Sequence, residues 1–195
     1  MWSYILLVLV SLFTCVVVYR RLYHLPHPEY LSYTILLLTA AMFGTMIANS
    51  GLLDRIIELM MVAVVLLVLV LLLISVRLIQ PQYARHPVLY SYFPLLILPF
   101  YAYFIDNEML EFITNAIIQA TALVVYSGLV ISYWKPVERG YLLFISILSF
   151  LAAFGIYWYP GLQSSYSIPI VHLLVGVGMI ISSFKFPSIL LEHKR

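Results

Sequence analysis

The chain has 195 residues, of which 64% are hydrophobic and 9% charged, against roughly 45–50% and about 25% in soluble domains. No water-soluble fold of this length could hide so much apolar surface, so a polytopic membrane protein is expected, with too little polar sequence for a separate soluble domain. The net charge of +2 says little by itself, and the single cysteine, Cys15, excludes an intramolecular disulfide.

Seven apolar segments approach the roughly 20 residues needed to cross the hydrocarbon. They lie near 2–19, 31–51, 58–76, 88–105, 111–134, 141–159 and 166–184. Runs such as "MMVAVVLLVLVLLLISV" lack the period of two that a β-barrel needs. In hydrocarbon every backbone donor and acceptor must be paired within the protein, so the segments are expected to be helices of one seven-helix transmembrane domain spanning 1–195.

The first segment carries "SLFTC" before Cys15, loosely like a lipoprotein cleavage site. No basic residue precedes it, and Arg20 and Arg21 follow the apolar run, so an uncleaved first helix fits better. The second segment ends near Asn49. The third has no polar side chain from Met60 to Ile74, which places it against lipid or a greasy partner. The fourth contains Pro94 and Pro99 and should be kinked. Its Tyr90, Tyr92, Tyr101 and Tyr103 read as interfacial anchors.

The fifth segment begins "TNAIIQATALVVYSG" and carries two amides, Asn115 and Gln119, about one and two turns below its start. Spaced four apart, they share one helix face. The sixth ends in "YWYP", with Tyr157 at the same depth. The seventh holds His172 one to two turns below its start, and Gly176 and Gly178 beside Ser182 favour close helix contact.

Orientation follows from the sorting of the basic residues. Arg20, Arg21, Arg77, Arg85, Lys135, Arg139, Lys185, Lys194 and Arg195 fall on one side of this layout and only Arg55 on the other. Cytoplasmic loops are enriched in Lys and Arg, so the N-terminus is expected outside and the C-terminus inside. Trp2, Trp134 and Trp158 sit at predicted helix ends, as interface anchors do. The expected location is a bacterial inner (plasma) membrane.

The second segment, "YLSYTILLLTAAMFG" (30–44), and the sixth, "YLLFISILSFLAAFG" (141–155), agree at six of fifteen positions. Chance agreement between two apolar segments is the plainer reading, and the alternative is two parallel three-helix units joined by a fourth helix. The layout resembles the sugar-transporting SWEET family in topology only. Here "QPQ" (80–82) sits in a loop, and the first, second and fifth segments lack internal prolines. The seven-helix input regions of bacterial sensor kinases and the microbial rhodopsins share the layout too. The rhodopsins need a lysine deep in the last helix, whereas Lys185 lies at its end.

Ionisable groups deep in a membrane are costly and default to a functional reading. Only His172 qualifies. The segments hold no deep Asp, Glu, Arg or Lys, which argues against carboxylate-coupled transport and voltage sensing. Neither a phosphate loop nor a His-Glu-x-x-His zinc motif occurs. The other four histidines map to the opposite side from His172, so no metal, haem or other cofactor is expected, and an enzyme is disfavoured.

What remains is a group of hydrogen-bonding side chains at one depth, Asn49, Asn115, Gln119 and His172, with Tyr157 beside them. Polar groups converging in an apolar cavity are the usual signature of a binding site, while bonds between helices are the plainer use of the same groups. The expected function is a receptor-like, sensor or accessory membrane protein with a small outward-facing pocket. The alternative is a carrier for a small uncharged or weakly polar solute. The expected partners are the lipid bilayer and another membrane protein or a second copy of the chain, and not nucleic acid.

Overall fold

A computed structural model describes residues 2–23, 51–79, 87–104, 107–159, 161 and 166–192. Among these residues the chain is all helical, with six α-helices: α1 (Trp2–Leu22), α2 (Gly51–Ile79), α3 (Ile97–Phe104), α4 (Glu108–Tyr133), α5 (Leu142–Trp158) and α6 (Ser167–Glu192). Four of them, α1, α2, α4 and α6, are long and apolar enough to cross a membrane. The second expected segment, 31–51, lies outside the described residues except for Gly51.

Helix ends differ from expectation where local chemistry permits the helix to run on. α2 begins at Gly51 rather than near 58, absorbing the stretch expected as a loop; Leu52, Leu53, Asp54 and Arg55 contain no helix breaker. α4 begins at Glu108 because the Asn107 side chain accepts the Leu110 amide at 3.2 Å, supplying the N-cap. α6 runs to Glu192 through the buried Pro187, eight residues beyond the expected end. Proline is tolerated inside membrane helices when neighbours satisfy the freed backbone.

The fourth expected segment is not one kinked α-helix. Val88–Leu96 forms a nine-residue 3-10 helix that passes into the eight-residue α3 at Ile97. Proline clashes with the carbonyl four residues back, so Pro94 and Pro99 disfavour the α-helical ladder at Tyr90 and Leu95, both within the 3-10 stretch. The tighter, narrower winding lengthens the element. At about 2.0 Å per 3-10 residue and about 1.5 Å per α residue, the pair rises about 30 Å, close to the thickness of a hydrocarbon core.

Packing sets the directions. One buried cluster joins Val18 and Leu22 of α1, Leu72 and Ile79 of α2, Tyr126 and Val130 of α4, Leu143 and Ile147 of α5, and Ile189 and Leu190 of α6. A second joins Val62 and Leu66 of α2, Tyr101 of α3 and Ile118 of α4. Leu7 and Val8 of α1 meet Val175 and Met179 of α6. Hence α1, α2, α4 and α6 run in one direction, while α3 and α5 run in the other. The bundle has an Asn115 end and an Arg21 end.

The lipid-facing placement expected for the third segment is overturned. α2 is the most apolar of the four long helices and the most buried: half of Val62–Ile79 lies inside the protein, against 33% or less of the others. Val70 and Leu66 have no exposed surface. Lipid is as apolar as a leucine side chain, so apolarity gives a helix no preference for the outside of a membrane bundle.

Two glycines serve close approaches. A Cβ at Gly178 would stand 2.7 Å from the Phe150 ring, so its absence admits α5 against α6. Gly140 closes the α4–α5 turn, where a Cβ would collide with the Trp134 carbonyl. The preceding Arg139 adopts a left-handed backbone, φ 53°.

Candidate functional site

Asn115, Gln119 and Tyr126 form one stripe on α4. At about 100° per residue they lie within about 40° of one another around the helix axis. Each reaches a different neighbour.

Asn115 Nδ2 donates to the Tyr101 hydroxyl at 2.9 Å, joining α4 to α3. Tyr101, expected at the interface, is 1% exposed and belongs to the buried contact between α2 and α4. One turn further, Gln119 Oε1 accepts from Trp158 Nε1 at 2.8 Å, joining α4 to α5. The Trp158 indole is packed edge-on against Phe112 and Tyr157, with ring centroids 4.7 Å and 5.1 Å away. Trp158 was expected only as an interface anchor; it also fixes the amide.

His172 is buried on α6, and its Nδ1 lies 3.2 Å from the Ser3 hydroxyl of α1. Its level relative to the amides follows from Tyr126, which bonds Ser182 of α6 at 2.7 Å. Asn115 precedes Tyr126 by eleven residues and His172 precedes Ser182 by ten, so both stand about 15 Å along their helices from that bond. The two therefore share a level at the Asn115 end, with Asn115 held toward α3 and His172 toward α1.

Tyr157 is 51% exposed beside Trp158, at the rim of this end. Asn49 lies outside the described residues. The arrangement at this level is thus three polar ties between different helix pairs: α4 with α3, α4 with α5, and α6 with α1. The Asn115 and Gln119 ties use part of each amide's bonding capacity, since a primary amide carries two donors and an acceptor with two lone pairs.

Sequence reasoning missed the deepest polar junction. The Tyr126 hydroxyl bonds Ser146 of α5 at 2.6 Å and Ser182 of α6 at 2.7 Å, uniting three helices at one oxygen. Ser146 spends its one proton on Leu143 O at 2.7 Å, so the Tyr126 hydroxyl donates to Ser146 and accepts from Ser182. Phe150 and Phe186 flank the phenol ring at 5.7 Å and 5.6 Å. The signal was present: Tyr126 follows Gln119 by seven residues and so continues its stripe.

Among the described residues no three His, Cys, Asp or Glu side chains gather so as to hold a metal ion. Cys15 is half-buried in α1. No protein-family model, curated protein or solved structure matches this chain.

Proposed function

We propose that the chain is a seven-span membrane protein, N-terminus outside and C-terminus cytoplasmic, acting as a receptor-like or accessory subunit without catalytic chemistry of its own. Its ligand-facing region is the Asn115 end, where Asn115, Gln119 and His172, with Tyr157 at the rim, offer hydrogen bonds to a small uncharged molecule from the outer side, and Asn49 of the second expected segment is the further candidate.

The observation that carries this reading is the concentration of cross-helix polar ties at one level of one end. A site built from side chains that also hold the helices together couples ligand binding to helix packing, which is what a receptor-like or accessory subunit needs. The parallel courses of α1 and α2 support a return passage between them. The 30 Å rise of the 3-10 stretch with α3 supports a further crossing, and the two together favour seven spans. The sorting of Arg and Lys toward the Arg21 end supports the orientation.

A carrier is the second reading, and the change from 3-10 to α-helix at Ile97 is what favours it, since such a change within a helical element often marks a hinge. Against it stand ties at both ends of the bundle between α1 and α6, which belong to different three-helix units: His172 with Ser3, and Arg21 with the Phe184 carbonyl.

The test is identification by mass spectrometry of small molecules released from detergent-purified protein. The wild type should release an uncharged polar molecule that the double variant Gln119→Leu, His172→Leu does not retain. Release of nothing, or equal release from both proteins, contradicts the receptor reading.

A further inference from the structure

A half-open cleft of about 300 Å³ lies at the Arg21 end, lined by Arg21 of α1, Leu142 of α5, and Ile180, Ile181, Phe184 and Lys185 of α6. Two cations from different helices thus face one space whose remaining walls are apolar. We propose that this cleft binds the phosphate headgroup of an anionic membrane lipid, with Arg21 and Lys185 on the phosphate oxygens and the apolar residues along the first part of an acyl chain. The proposal rests on the membrane reading above and not on the ligand region at the opposite end.

The cations are held in place by groups that leave their charge intact. Arg21 Nη1 donates to the Phe184 carbonyl, and its guanidinium carbon sits 5.4 Å from the centre of the Phe184 ring. Lys185 Nζ donates to the Glu138 carbonyl in the α4–α5 turn at 2.7 Å. Both acceptors are neutral. Each bond uses one donor of a guanidinium with five N–H groups or an ammonium with three, so several remain for an oxyanion. Arginine matches phosphate with paired N–H groups while lysine adds a point charge.

The apolar walls select the source of the phosphate. Ile180 and Ile181 stand about one turn of α6 inward of Lys185, with Leu142 beside the cations at the start of α5, and against such walls free phosphate gains nothing while an acyl chain buries surface. Arg20 in the same helical turn, and Lys135 and Arg139 in the α4–α5 turn, are exposed at this end and add to the field that draws an anionic surface. Basic pockets between membrane helices on the cytoplasmic side recognise anionic headgroups on this same logic.

The experiment reconstitutes the full chain in nanodiscs holding equal amounts of phosphatidylglycerol and phosphatidylcholine, then re-extracts it and measures the lipid it retains by mass spectrometry. The wild type should retain phosphatidylglycerol in preference. Arg21→Gln or Lys185→Gln should each lower that preference about fivefold and the pair about 25-fold. Arg20→Gln with Lys135→Gln, which removes as much charge at the same end outside the cleft, should retain most of it. Ile181→Trp, which fills the apolar wall, should lose the lipid although both cations remain. Equal retention of the two lipids by the wild type, or equal loss in the cleft and control pairs, overturns the proposal. Displacement of the retained lipid by millimolar inorganic phosphate overturns its acyl-chain half. If the double variant does not purify as a monodisperse species, the single Lys185→Gln against the single Lys135→Gln decides the same question. A chain recovered from the soluble fraction without detergent would instead sink the membrane reading itself.

Discussion

Gln119 on α4 accepts a hydrogen bond from the Trp158 indole on α5 at 2.8 Å, and Phe112 about two turns earlier on α4 packs edge-on against the same indole. The indole is therefore held by α4 twice, through its N–H and on its ring. Removing either partner should weaken the α4–α5 contact. Gln119→Leu and Trp158→Phe are each expected to destabilise the protein, with a coupling of about 0.6–1.7 kcal/mol between them. A double-mutant cycle on unfolding in detergent micelles measures it, and a coupling of zero would mean that the bond adds nothing to the packing.

Tyr126 should matter more than either. Its hydroxyl meets Ser146 and Ser182, so Tyr126→Phe removes two interhelical bonds at once while leaving the ring against Phe150 and Phe186. The expected cost is about 1–3 kcal/mol. Ser146→Ala should cost less, because Ser182 still partners the phenol. The ordering of these two variants in a melting series is the readout, and the reverse order would show that the junction depends on Ser146 and its bond to Leu143 O rather than on the tyrosine.

Class, helical content and the separation of basic from polar ends were legible in the sequence because each rests on composition or on charge, which the membrane sorts strongly. The centre of the bundle was not. In water an apolar stripe marks the buried face of a helix, but lipid and protein interior are equally apolar, so Met60–Ile74 carried no sign that it would be buried. The 3-10 stretch escaped for a different reason: Pro94 and Pro99 announce a disturbed ladder without saying whether it bends or rewinds. In the candidate site, Asn115 and Gln119 were visible as costly amides, while their partners Tyr101 and Trp158 were hidden among aromatic residues expected at the interface.

The central position of α2 gives a direct test of that lesson. Leu66→Ala, at a site with no exposed surface, should cost about 2–5 kcal/mol through the cavity it leaves. Ile117→Ala, on the 60% exposed face of α4, should stay within about 0.5 kcal/mol. Equal effects in the two variants would return α2 to the lipid-facing position that its sequence suggested.

The proposed ligand region and the proposed lipid cleft both depend on one arrangement: the Asn115 end outside the cell and the Arg21 end inside. Single cysteines in a Cys15→Ser background test it most directly, at positions whose side chains are exposed at known ends of the bundle. Met109→Cys and Tyr166→Cys lie at the Asn115 end, and Tyr23→Cys and Glu138→Cys at the Arg21 end. With a membrane-impermeant maleimide, the first pair should label in intact cells and the second pair only after lysis. Labelling of Tyr23→Cys and Glu138→Cys in intact cells, with Met109→Cys and Tyr166→Cys protected until lysis, would invert the protein in the membrane and contradict the account.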